Sequence, residues 1–213
     1  MIPRTISEKA LQYSTQYPVV TFTGPRQSGK TTLSKALFPD KPYVSLEDLE
    51  NRNQASQDPR GFLARYPDGA IIDEVQRVPD LFSYIQTIVD EKDKEGLFIL
   101  TGSQQFEMIE ALTQSLAGRT ALIKLLPFSY DEIYINSPPS DLFSLLYTGF
   151  YPRIFDKKLN PTEALAFYVS TYLERDVRKI INVKDLSIFE NFLKLLAGRS
   201  GQILNMNTLG DDC

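Results

Sequence analysis

Residues 24 to 31 read Gly-Pro-Arg-Gln-Ser-Gly-Lys-Thr, and no other stretch constrains the chain as much. The run matches G-x-x-x-x-G-K-[ST], the pattern of a loop that cradles phosphates. It follows an apolar β-type run, Val19-Val20-Thr21-Phe22, and precedes a helical pattern from Thr31 to Leu37. That context, strand then loop then helix, is what the pattern needs. The loop's backbone N–H groups and the helix N-terminus together form a concavity of positive partial charge. Gly24 and Gly29 give the backbone freedom to approach an anion closely. Pro25, Arg26, Gln27 and Ser28 complete the loop, and Thr32 follows in the first helical turn. Lys30 would reach the β- and γ-phosphates of a nucleotide, and the Thr31 hydroxyl would ligate Mg²⁺.

Composition narrows the chemistry. The chain of 213 residues contains no His, which removes a Ser-His-Asp triad, a His general base and every His metal site. Cys213 is the only Cys and the last residue, so neither an internal disulfide nor a Cys-based zinc cluster can form. The net charge is −4, and no basic block points to non-specific nucleic-acid or membrane-surface binding. Met1-Ile2-Pro3-Arg4-Thr5 lacks the apolar core of a signal peptide, and no apolar run approaches a membrane span. A soluble cytoplasmic protein is expected.

Apolar runs at 19–23, 43–46, 69–73, 97–101 and 120–125 read as five strands. Between them, 6–16, 30–38, 61–66, a segment opened by Pro79, and 105–116 read as helices, while 47–60 reads as a polar connection. Alternation of this kind predicts an α/β fold, with a mostly parallel sheet between two helical layers. The strands are continuous apolar runs, as burial on both faces requires. Ligands of such sheets bind at the strands' carboxyl ends, where the loop, Asp73 and Thr101 all fall. Pro138-Pro139-Ser140 reads as a linker, and 141–147, 161–181 and 185–197 as further helices.

Ala70-Ile71-Ile72-Asp73-Glu74 has the form of a Walker B segment, an apolar strand ending in two carboxylates. Asp73 would hold Mg²⁺, and Glu74 would polarise an attacking water. Thr101 and Ser103 are polar groups at the end of the next strand, with Gln104 a weaker candidate beside them. Ser103 is also a good helix N-cap. Arg119, before the fifth strand, is placed where it could act as an arginine finger, in cis or from a neighbouring subunit. Arg4 and Arg26 are further phosphate-side candidates. Arg175 lies in a charged helical segment that reads as a solvated face.

Together these segments resemble the AAA+ superfamily, and within it a group of prokaryotic ATP-binding proteins that join an AAA-type module to a C-terminal domain of unknown function. The resemblance rests on Gly24 to Thr32, Ser45-Leu46-Glu47-Asp48, Ile72 to Gln76, Leu100 to Ser103 and Ser115 to Arg119. It continues in Gly149-Phe150-Tyr151-Pro152, Tyr172 to Asp176 and Leu196 to Gln202. It implies a P-loop fold with strand order 5-1-4-3-2, ATP as the nucleotide, and a γ-phosphate sensor at Thr101 or Ser103. It implies an ATP-binding module over 1–137, a helical subdomain over 138–184, and the start of a winged-helix-like domain over 185–213. Members of the group are longer, so the chain is expected to stop inside that last domain, and a DNA or protein partner would engage the part beyond it.

The function so implied is an Mg²⁺-dependent ATPase, slow in isolation, whose hydrolysis moves the C-terminal helical region. ATP and ADP are the expected ligands, with a homo-oligomer as a further expected partner. One rival is a nucleotide-gated regulatory module with little turnover, for which DNA is a candidate partner. Another is a small-molecule phosphotransferase, disfavoured because no Arg-rich lid is evident and Glu74 beside Asp73 suits water as nucleophile.

Overall fold

Five strands pair side by side and all in parallel, in the order β2-β3-β4-β1-β5. The structure, a computed structural model, describes residues 2–103, 112, 114–135, 138–139, 141–172 and 186–211. The strands are β1 (Val19–Thr23), β2 (Tyr43–Ser45), β3 (Ile71–Asp73), β4 (Phe98–Thr101) and β5 (Thr120–Lys124). The order is the expected 5-1-4-3-2, and the fold is a P-loop sandwich of three layers.

Strand side chains alternate between two cores, because successive Cβ atoms point to opposite faces. Val19, Ile72, Phe98 and Leu100 face one cluster with Phe62, Leu81, Phe82 and Ile85. Val20, Phe22, Ile71 and Ile99 face the other with Ala10 and Leu33. Helices α1 (Ser7–Ser14) and α2 (Lys30–Leu37) cover the second face. The first is covered by α3 (Leu49–Gln57), α4 (Pro59–Ala64) and α5 (Leu81–Lys92). Edge strand β5 departs from the expected continuous apolar burial. Ala121 and Ile123 are buried while Leu122 is 46 % exposed, since an edge strand is covered on one face only.

The polar stretch from 47 to 60 is another departure, being mostly helix. Asp48 accepts a hydrogen bond from Asn51 N–H at 2.9 Å and caps α3, and Asp58 does the same for α4 through Gly61 N–H. Caps satisfy N–H groups that the first helical turn leaves orphaned. Short helices α6 (Tyr130–Tyr134), α7 (Leu142–Thr148) and α8 (Pro152–Lys157) follow β5. A capping box of Ser129 and Glu132 starts α6.

The chain divides into two compact units, residues 1–158 and 159–213. The second contains α9 (Pro161–Tyr172), α10 (Leu186–Gly198) and α11 (Met206–Asp211). The rest of the helix expected to 181, and most of the one expected over 105–116, lie outside the described residues. No helix among the described residues is long and apolar enough to cross a membrane.

Candidate phosphate-binding site

The loop leaves β1 at Thr23 and must turn at once, because Leu125 N–H donates to Thr23 O at 2.7 Å and pins the strand end. Gly24 makes the turn at φ +141°, and a Cβ there would lie 2.0 Å from the Leu125 carbonyl oxygen. Gly29, at φ +93°, stands at the N-cap of α2 with no side chain capping the helix. The first N–H groups of α2 are therefore left for a ligand, with the positive end of the helix dipole behind them. Gln27 adopts φ 59° without being glycine, a conformation that costs about 1–2 kcal/mol. Ser28 is fully buried, and its Oγ has no hydrogen-bond partner among the described residues.

Lys30 is 7 % exposed and folds back onto the loop, donating to Gly24 O at 3.0 Å and Pro25 O at 2.8 Å. Burial lowers the pKa of its ammonium, against the opposing pull of Glu74 and Asp73. Parallel pairing of β3 with β4 sets Asp73 beside Thr101 at the carboxyl edge of the sheet. The Asp73 carboxylate is 7 % exposed and accepts from three hydroxyls. Thr31 donates at 3.0 and 3.2 Å to its two oxygens, Tyr43 donates at 2.8 Å to Oδ2, and Thr101 donates to Oδ1.

Tyr43 was not singled out by sequence. It reaches the site because β2 pairs with β3 in a register that sets Tyr43 opposite Ile71, two residues before Asp73. Burial pushes its phenol up to about 12, assisted by the hydrogen bond to Asp73 and the charge there. Lys35 Nζ lies 3.3 Å from the centre of its ring. A single Tyr at the start of a three-residue strand carries no motif that could have marked it.

Glu74 follows Asp73 in the left-handed region, at φ 57° and ψ 42°. This turns the chain out of the sheet and into a 3₁₀ turn, Val75–Arg77, anchored by fully buried Val75. Gln76 Nε2 donates to Glu74 Oε2 at 2.5 Å and to Ser103 Oγ at 2.9 Å. Ser103 is 9 % exposed, just beyond β4. Four separated segments thus converge on one edge: the loop, β2, the β3 end and the β4 end.

Other candidates fall elsewhere. Arg4 lies behind the loop, donating to Ser28 O, Leu126 O, Pro127 O and the Glu132 carboxylate. Arg26 and exposed Thr32 flank Lys30 and Thr31. Arg119 precedes β5 at the amino edge of the sheet and makes a two-bond contact with Asp90 of α5, at 2.5 and 2.9 Å. Gln104 and Arg175 lie outside the described residues.

A family profile described as an AAA domain matches residues 16–134, more than half of the chain. A second, described as a domain of unknown function, matches residues 139–213. Uncharacterised proteins of Mycobacterium bovis and Mycobacterium tuberculosis are each 34 % identical over 167 residues, which is 76 % of this chain and 37 % of theirs. The chain therefore spans 37 % of the length of those curated relatives. The Walker-type ATPase of Pyrococcus abyssi superposes with a TM-score of 0.56 at 15 % identity, covering 100 % of this chain and 89 % of that one. That likeness is one of fold.

Proposed function

The chain belongs to the AAA-domain family, and from that premise we propose that it binds ATP with Mg²⁺ and hydrolyses it to ADP and phosphate. The observation that carries this reading is the placement of Lys30, Thr31, Asp73 and Glu74 in one cluster at an uncapped helix N-terminus. Thr31 Oγ1 and the Asp73 carboxylate offer oxygen donors 3.0 and 3.2 Å apart. Such a pair fits Mg²⁺, a hard cation that keeps several waters and takes few protein oxygens. Bound there, Mg²⁺ would neutralise charge on the β- and γ-phosphate oxygens.

The protein's own groups supply the rest. Lys30 exchanges the Gly24 and Pro25 carbonyls for phosphate oxygens, which return a full counter-charge to a desolvated ammonium. Tyr43 and Thr101 hold the Asp73 carboxylate in orientation. Glu74 accepts a hydrogen bond from water, whose oxygen attacks the γ-phosphorus in line. The bond to the bridging oxygen breaks as ADP leaves, and the water's protons pass by way of Glu74 to solvent and product. Arg119 acts on a neighbouring subunit, and the helical region after residue 140 carries the output.

One observation favours a second reading, a nucleotide-gated switch with little turnover. With Lys30 on the loop carbonyls and Asp73 on three hydroxyls, the polar groups of the site largely satisfy one another. A ligand that displaces these contacts shifts the population of states by its differential affinity. Steady-state phosphate release, compared between wild type and Glu74→Gln over a protein concentration series, separates the two. Turnover lost in Glu74→Gln with ATP binding retained supports the ATPase. Tight binding with no turnover in wild type supports the switch. ATP affinity unchanged in Lys30→Ala would remove the loop from both.

A further inference from the structure

We propose that Gln76 is a positioning residue of this site, setting Glu74 to receive water and Ser103 to donate to the terminal phosphate. The inference rests on the hydrolytic reading above and adds a residue to it. The Gln76 carboxamide nitrogen carries two protons, and both are used: one on Glu74 Oε2 at 2.5 Å, the other on Ser103 Oγ at 2.9 Å. The opposite amide orientation would set oxygen against carboxylate, acceptor facing acceptor, so chemistry selects the one observed.

Three consequences follow from that count of donors and acceptors. Glu74 is gripped at one oxygen, which fixes the carboxylate and leaves Oε1 without a protein partner among the described residues. Ser103 accepts from Gln76, so its own proton is directed elsewhere, and it stands at the β4 end as a donor for a phosphate oxygen. Gln76 Oε1 is buried and has no partner among the described residues. A buried acceptor left without a donor costs free energy and calls for a reason. The attacking water donates to Glu74 Oε1, the oxygen that the Gln76 contact leaves open. The 3₁₀ turn gives the amide its fixed base, because Val75 is fully buried and Val78 N–H donates to Val75 O at 3.1 Å.

The test uses the full chain with Gln76→Met, which keeps the volume, and Gln76→Glu, which keeps acceptors and loses donors. Phosphate release is measured beside binding of a non-hydrolysable ATP analogue and the thermal midpoint. Gln76→Met is expected to lose about a hundredfold in kcat, the scale of a small misplacement of reacting groups, with analogue affinity and thermal midpoint close to wild type, while Gln76→Glu, which sets a second carboxylate against Glu74, is expected to lose both kcat and thermal midpoint. Gln76→Met combined with Ser103→Ala is expected to fall no further than Gln76→Met alone, as groups acting as one unit do. A kcat for Gln76→Met within about twofold of wild type overturns the proposal, as does a loss shared equally with analogue affinity, or full additivity with Ser103→Ala. A wild type that binds the analogue but never turns over ends the hydrolytic reading and this one together. An active wild type beside an equally active Gln76→Met ends this one alone.

Discussion

Arg4 puts a positive charge behind the phosphate loop, and Glu132 makes it tolerable there. The two side chains are 7 % and 4 % exposed, and the Arg4 guanidinium also lies 4.8 Å from the centre of the Phe128 ring. Its remaining N–H groups donate to backbone carbonyls of Ser28, Leu126 and Pro127, so loop, post-β5 segment and α6 are tied to one side chain. Burial alone would raise the pKa of Glu132. The N–H groups of Ser129 and Thr5, together with Arg4, outweigh it and hold the carboxyl below its usual value of 4.5. A folded pKa below the unfolded one means the stabilisation is fully present above about pH 4.5 and fades as pH falls through the folded value. Arg4→Met strands a buried carboxylate and should cost about 3–5 kcal/mol in urea unfolding at pH 7. Glu132→Gln should flatten the fall of stability below pH 4.5. Acid limbs that run parallel in wild type and Glu132→Gln would show that Glu132 carries none of the acid sensitivity.

At the scale of elements, cap and face contribute unequally. Helix α3 buries one residue, Ala55, and Asp48 caps it; α4 buries Phe62 and Leu63 against the sheet. Asp48→Ala should cost about 1 kcal/mol. Phe62→Ala should cost about 3–5 kcal/mol, since a buried ring leaves a cavity as well as losing its transfer energy. Denaturant midpoints of the two variants check the ranking, and a larger loss from the cap would reverse the assignment of what holds this layer. The same contrast explains what could be read from sequence. Three of the strands, β1, β3 and β4, are buried on both faces, so their apolar runs were legible with the sheet order implied by resemblance. Helix α3 shows no apolar periodicity because it has almost no buried face, and α6, α8 and α11 are five or six residues long, too short for a pattern to repeat. The loop, Asp73-Glu74 and Thr101 to Ser103 were legible because their spacing is local. Tyr43 and Gln76 were not assigned roles, because theirs come from strand register and from a 3₁₀ turn, neither of which leaves a local pattern.

At the scale of the whole molecule, the sheet separates two edges with different partners. The phosphate loop leaves the carboxyl end of β1, while Arg119 O accepts from Val19 N–H at the amino end. Five residues of strand lie between, about 16 Å at the usual rise. Arg119 therefore does not serve the loop of its own subunit. Its bond to Asp90 is at the surface, where solvent makes an ion pair readily exchangeable. Asp90 can yield the guanidinium to a stronger anion, such as a triphosphate presented by a second copy of the chain. An arginine finger acting across an interface supplies about a thousandfold or more in rate. Turnover per subunit in wild type should then rise with protein concentration, and Arg119→Ala should stay flat near the dilute wild-type rate with its thermal midpoint unmoved. Asp90→Ala should keep the rise, because the partner it removes competes with the phosphate rather than assisting it. A concentration dependence in Arg119→Ala equal to that of wild type would leave Arg119 as a surface residue paired to α5 and nothing more.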